Sequence, residues 1–316
     1  MNKPGHRYLA LPLALLLGAC STVSDQRPEP IRKSEYYLEH GVSAFSDSDY
    51  VAASDFFSKA LAHYRSIDDT TGTLLSRINL AETALASGNF SAALENIKAA
   101  ETTANAEHYR DYQPRLTLLR AQTHWRSHEK EQALALLENL LPPFDSENRS
   151  QKKATLLILG ATTLRTDIAF ARDDDDKQAA RLWLRRLSLM LPGTEGRTDL
   201  HHARLLRFEA QLAAYDHEPQ DALNKFEQAL QLYREGAARP AIAATLTESG
   251  KLLMTMGRWQ EAEERLQRAL YIRLWIMDRQ GSAELLELLQ IVYQQLDDEE
   301  RYQQIKTETE KLTGRQ

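Results

Sequence analysis

Small residues recur along this chain at a nearly fixed interval. Ala53, Ala93, Ala133, Ala180, Ala222 and Ala262 are separated by 40, 40, 47, 42 and 40 positions. A second small series lies twelve positions ahead of most of them, at Gly41, Ala81, Ala121, Ala210 and Gly250; Gly160 joins it if one extra loop follows. Four residues after each alanine of the first series stands a large apolar group: Phe57, Ile97, Leu137, Leu184, Phe226 or Leu266. Three further on come Ala60, Ala100, Leu140, Leu187, Ala229 and Ala269. Spacings of three, four and seven place such residues on one face of a helix. The repeated unit therefore reads as a helix–turn–helix hairpin, which buries its apolar face only by stacking on its neighbours. The small residues let the two helices approach closely, and the large ones fill the gap to the next hairpin.

The turns are written in the sequence as well. SDSDY (46–50), SGNF (87–90), DHEPQ (216–220) and MGRW (256–259) separate the helices of four units. Pro219 stands where a first-turn proline is tolerated. LPPF (141–144) and LPG (191–193) stop two second helices. The pattern resembles the tetratricopeptide repeat. TESGKLLMTMGRWQEAEERLQRAL (247–270) carries Gly250, Gly257, Trp259, Ala262, Leu266 and Ala269 at that family's positions, and EHGVSAFSDSDYVAASDFFSKAL (39–61) carries Gly41, Tyr50, Ala53, Phe57 and Ala60. The resemblance spans about residues 35–312 and is weakest in the third and fourth units. It implies an all-α, right-handed solenoid of about seven helix pairs over residues 35–316, with 281–312 as a capping pair. The usual period of this family is about 34 residues, so a period near 40 predicts longer helices, as in its longer-period branch.

The N-terminus follows other rules. Lys3 and Arg7 precede the apolar run YLALPLALLL (8–17), and Gly18-Ala19 forms a small-residue cleavage site. These are the parts of a secretory signal peptide over residues 1–19. Leu17-Gly18-Ala19-Cys20 resembles the lipobox of bacterial lipoproteins and contains the single cysteine of the chain. That resemblance implies a diacylglyceryl group on the Cys20 sulfur, cleavage before it and acylation of the new amine. Several acyl chains at about 0.8 kcal/mol per buried CH₂ anchor a protein firmly. Ser21 at the second mature position implies sorting to the outer membrane, with the body facing the periplasm. Residues 20–34, with two prolines in STVSDQRPEPIRK (21–33), read as a tether.

Charge narrows the partner. The formal charge is −6 and falls to −8 once a leader holding Lys3 and Arg7 is removed, which argues against nucleic acid. The richest later apolar run, ATLLILGATTL (154–164), is far short of the ~18 residues that span a bilayer. One cysteine leaves no internal disulfide or thiol-based metal site. The acidic run RDDDDKQAARL (172–182) lacks the spaced calcium-loop pattern and reads as a turn with acids favouring a helix N-terminus. His124 and His128 lie four apart, but no H-E-x-x-H accompanies them and His128 falls in a turn. His201 and His202 are adjacent and diverge on a helix. No nucleophile elbow, Walker loop or dinucleotide fingerprint is present, so the expectation is a non-enzyme without cofactor or metal.

In the tetratricopeptide family the first helix of each pair lines a concave groove. Carrying those positions over gives Asn79 and Glu82, then Arg115, Gln122, Trp125 and Arg126, then Arg165, Arg204, Arg207, Gln211 and Tyr215, and Lys251. Such a middle groove is expected to be locally basic, with aromatics, and to suit an acidic segment or a C-terminal carboxylate. The family's carboxylate clamp is incomplete, because Leu38 and Val42 replace polar residues of the first unit. An equal alternative is that these arginines pair with neighbouring acids and line nothing. The functional expectation is an outer-membrane-anchored adaptor that holds an envelope protein (pilus or secretin, outer-membrane protein or cell-wall machinery). A small-molecule or glycan-binding accessory protein is the alternative.

Overall fold

A three-residue turn, used over and over, sets the architecture. The chain turns through a left-handed residue at Ser48, Asp68, Gly88 and His128, and again at His217, Ala237, Gly257, Met277 and Asp297. Consecutive members of the second group are twenty residues apart. In each, the amide after the left-handed residue bonds back to a carbonyl five positions earlier, as Asp49 N to Ala44 O (2.9 Å) and Asp278 N to Arg273 O (2.9 Å). That residue then also opens the next helix. The Asp49, Asp69, Asn89 and Asp278 side chains accept from Ala52 N, Gly72 N, Ala92 N and Gly281 N at 2.8–3.2 Å. Each such cap is worth about 1 kcal/mol. One residue thus ends one helix and begins the next, which leaves no room for a longer loop.

The computed structural model describes residues 27–141, 156–170, 177–190 and 198–313. The leader, Cys20, the start of the tether, the acids at 173–176, and the stops at 142–144 and 191–193 lie outside them. Among the described residues there are fourteen α-helices and no strand. They pair as α1 (Glu29–Ser46) with α2 (Tyr50–Ser66), α3 (Thr70–Ala86) with α4 (Phe90–Ala104), and α5 (Gln113–Arg126) with α6 (Lys130–Leu140). Then come α7 (Leu156–Phe170) with α8 (Lys177–Met190), α9 (Thr198–Tyr215) with α10 (Pro219–Glu235), α11 (Arg239–Thr255) with α12 (Trp259–Trp275), and α13 (Arg279–Gln295) with α14 (Glu299–Thr313). Helix packs on next helix throughout, as in a solenoid of the tetratricopeptide type. Helices of seventeen residues joined by equally tight turns give the forty-residue period in most units. Between α4 and α5 a 3-10 helix (Glu107–Tyr112) intervenes and the helices are shorter.

The small-residue series meet in space. Ala53, Ala93, Ala133, Ala222 and Ala262 are fully buried and Ala180 nearly so. A Cβ on Gly41 would lie 2.5 Å from the Phe57 ring, and one on Gly250 2.8 Å from Leu266 Cδ2. The missing side chain of one helix is therefore the seat of the large residue on its partner. The apolar clusters run from one pair into the next, the largest joining Leu230, Leu253, Leu266, Leu289 and Tyr293 across α10 to α13.

The N-terminal boundary differs from expectation. Residues 29–34 belong to α1, not to the tether: Pro28 is the N-cap, Pro30 stands in the first turn, and Ser34 is fully buried with its hydroxyl on Pro30 O at 2.8 Å. Prolines that suggest a linker here begin a helix, because first-turn residues need no amide donor.

Seven of the left-handed positions are not glycine, although a side chain there costs roughly 1 kcal/mol or more. Met277 has φ 57° and is 61% exposed, so its side chain contributes little burial to offset that cost. Met277→Gly is expected to raise stability by about 0.5–1 kcal/mol, seen as a higher thermal midpoint. An unchanged midpoint would show that the turn is not strained.

The solenoid curls far enough for distant pairs to touch. Arg239 Nη1 donates to Asp47 O at 2.5 Å, across 192 positions. Gln280 Nε2 reaches Arg126 O at 3.5 Å and His128 Nε2 at 3.2 Å, and Arg126 Nη2 lies 3.7 Å from Asp278 Oδ2. Turns of the first and third pairs thus meet the sixth and seventh, and the concave face between them holds an open cavity.

Candidate ligand cavity

The cavity has a volume of about 720 Å³ and is lined from both ends of the chain. The third pair supplies Leu119, Gln122, Trp125 and Arg126; α7 and α9 supply Leu164, Asp167, Arg204 and Arg207; the C-terminal pairs supply Arg273, Asp278, Gln280 and Glu284. Sequence reasoning placed Glu82, Gln122, Trp125, Arg126, Arg204 and Arg207 in such a groove, and the structure brings these six together.

The expected basic character does not hold. Four arginines of the lining (Arg126, Arg204, Arg207, Arg273) face four acids: Glu82, Asp167, Asp278 and Glu284. Of these acids the family positions pick out Glu82 alone; Asp167, Asp278 and Glu284 were not among them. Each acid is tied to a cation. Glu82 accepts from Arg115 Nη2 at 2.7 Å, Asp167 from Arg207 Nη2 at 2.8 Å, Asp278 from Arg273 Nη1 at 2.5 Å and Glu284 from Lys251 Nζ at 2.5 Å. Arg126 and Arg207 thus pair with acids and line the cavity as well, whereas Arg115 pairs with Glu82 outside its lining.

Arg204 is different. Among the described residues it has no ion pair and no hydrogen bond, and it is half-buried. It faces Asp167 at longer range and helps burial push the His201 imidazole below its usual value. Arg204 is therefore a cation of the lining without a direct partner, near Asp167, whereas Arg126 and Arg273 share Asp278.

Arg207 is the structural keystone of the wall. It is bonded to Asp167 and lies 3.5 Å from Glu248, with 13% of its side chain exposed. Burial pushes both the Asp167 and Glu248 carboxyls above their usual range, against the opposing pull of the Arg207 charge. Burial also disfavours the Arg207 charge, but Glu248 and Asp167 outweigh it and hold the guanidinium above its ordinary value. These three residues come from α7, α9 and α11 and stand 40 and 41 positions apart, one repeat each.

Beyond that wall lies a smaller cavity of about 420 Å³. Phe170, Tyr215, Phe226 and Leu252 give it apolar sides, and Gln211, Glu248 and Lys251 a polar edge. Tyr215 Oη donates to Phe170 O at 2.5 Å and the two rings stack 6.0 Å apart, which fixes the aromatic wall. Gln211, Tyr215 and Lys251, also chosen from sequence, lie here instead of in the main groove.

Three other chosen residues line neither cavity. Arg115 is drawn to Glu82, Arg165 stacks over the Trp183 ring of α8 at 5.1 Å, and Asn79 is half-buried along α3. The residues missed were Asp167, Arg273, Asp278, Gln280 and Glu284. Only Asp278 carried a local signal, as an N-cap. Of the histidines, His124 Nδ1 is engaged by Glu129, and His128 occupies the turn. No group of three or more potential metal ligands occurs among the described residues, and no described helix is long and apolar enough to cross a membrane.

No protein-family model matches this sequence, and no curated protein matches it. Solved structures do share its shape. The crystal structure of NprR in complex with its cognate peptide NprX superposes with a TM-score of 0.62 at 14% identity, over 90% of this chain and 78% of that one. The apo form of the quorum sensor NprR from B. thuringiensis gives 0.52 at 12% identity, over 89% and 87%. At these identities the likeness is one of fold: an all-α, tetratricopeptide-like solenoid.

Proposed function

We propose that this protein is a non-enzymatic peptide-binding solenoid, held at the outer membrane by acyl chains on Cys20, that captures a segment of an envelope protein. The observation that carries the reading is the open cavity on the concave face with Arg204 on its lining, a cation without a direct ion pair or hydrogen bond among the described residues. A guanidinium aimed into a partly desolvated cavity recognises a carboxylate through charge-assisted hydrogen bonds. The similarity in fold to NprR, crystallised with its cognate peptide, supports a peptide over a sugar as ligand. Anchoring restricts the solenoid to the membrane surface and raises the effective concentration of a membrane-bound partner.

Crosslinking the full lipoprotein in intact cells, with and without Arg204→Glu, tests the site. A specific envelope protein recovered with the wild type and lost with the variant is the expected result. Recovery that ignores the substitution would place the interface elsewhere. Arg207 is unsuited to this test, because reversing its charge would set three acids against one another. The anchor is tested separately: a clickable palmitate analogue should label the wild-type chain and fail to label Cys20→Ala. Equal labelling of both would remove the lipid from the proposal.

A further inference from the structure

The two cavities stand in a fixed register along one helix. Arg204 and Arg207 of α9 face the larger cavity; Gln211 and Tyr215, on the same face one and two turns further, line the smaller. The Arg207–Glu248 contact of 3.5 Å is the partition, since Arg207 lines one side and Glu248 the other. From residue 204 to residue 211 the helix rises about 10 Å at 1.5 Å per residue. An extended peptide covers that span in about three residues at ~3.3 Å each.

We infer that the smaller cavity is a side-chain pocket of the same peptide site, and that the ligand carries a carboxylate at Arg204 and a large apolar side chain about three residues away. The inference rests on the peptide-binding reading above. Charge fixes one end, because Arg204 lines the cavity without a direct ion pair or hydrogen bond among the described residues. Shape and chemistry fix the other, because Phe170 and Phe226 are buried, Tyr215 is held by its bond to Phe170 O, and Leu252 completes an apolar wall around about 420 Å³. A wall already held in place loses little freedom when a side chain enters, which favours selection at that position. A carboxylate of this kind comes from a chain terminus or from an acidic side chain, and the two sources are separable.

The test uses the full-length lipoprotein in detergent and fluorescent hexapeptides of alanine and serine bearing one phenylalanine. The phenylalanine is moved one position at a time from a free C-terminus, and each peptide has an amidated twin with and without a terminal glutamate. Anisotropy should report tightest binding at a separation of three, weakened at least tenfold by a shift of two positions or by serine in its place. Amidation should cost at least tenfold. Restoration by glutamate would assign the carboxylate to a side chain, and no restoration to the terminus; either is consistent with the inference. Thr255→Trp, at an exposed position on the pocket rim, should abolish the positional preference while leaving the effect of amidation. Arg204→Gln should do the reverse. Binding without positional preference, or a preference untouched by Thr255→Trp in a protein with wild-type melting, overturns the inference and leaves the peptide reading standing. Failure of a fully degenerate hexapeptide pool to bind the folded protein overturns both.

Discussion

Asp278→Ala is expected to lower the stability of the protein by about 3–5 kcal/mol, the usual cost of removing one partner from a buried ion pair. The Asp278 side chain is 1% exposed. It caps α13 through Gly281 N at 3.0 Å, accepts from Arg273 Nη1 at 2.5 Å, and lies 3.7 Å from Arg126. Alanine leaves two guanidiniums facing each other without their shared anion and removes a cap worth about 1 kcal/mol. Asp278→Asn separates the contributions, since it keeps an oxygen for the cap and loses the charge. Urea unfolding should order the proteins wild type, Asn, Ala. A loss under 1 kcal/mol for Ala would mean that the buried carboxylate contributes nothing beyond its cap.

Arg207→Met is expected to cost about 2–3 kcal/mol near neutral pH, at the low end for a broken buried pair because Asp167 and Glu248 keep 32% and 25% side-chain exposure. The dependence on pH identifies the mechanism. Both carboxyls already sit above their ordinary values through burial, and removing the Arg207 charge raises them further. An acid whose folded pKa is raised binds protons more readily in the folded state, so stability falls as pH rises through that range. The variant should therefore be weakest at pH 7–8 and approach the wild type as pH drops towards 4. Adding Asp167→Asn and Glu248→Gln should recover most of the loss at neutral pH. A deficit independent of pH would assign the effect to lost packing on Phe208, whose ring the guanidinium covers at 5.1 Å.

The fold was legible because the repeat is written in residue size. Gly41 and Phe57, or Gly250 and Leu266, make each other's geometry necessary, and both members lie within one hairpin. The site was half legible for a related reason. Positions such as Trp125 and Arg204 face inward because of their place in a single repeat, so the pattern finds them. Whether an inward cation is free depends on the next repeat: Arg207 is matched by residues 40 before and 41 after it, and Lys251 by Glu284, 33 further on. Opposite charges separated by one period were visible in the sequence, but only a known stacking register makes them neighbours. Asp278 against Arg126 was beyond reach, since that contact depends on the accumulated curvature of several pairs.

The contacts of the first pair with the sixth, and of the third with the seventh, change how the molecule resists unfolding. In an open stack of hairpins each unit is stabilised by its nearest neighbours alone, and the ends can fray independently of the middle. Here the bonds from Arg239 to Asp47 O and from Gln280 to Arg126 O tie units more than 150 residues apart. Losing the terminal pairs then also removes support from the centre, so that the chain approaches a single cooperative unit. A ligand in the cavity touches both arms of that loop, and its binding energy is shared by the whole solenoid instead of by the hairpins it contacts.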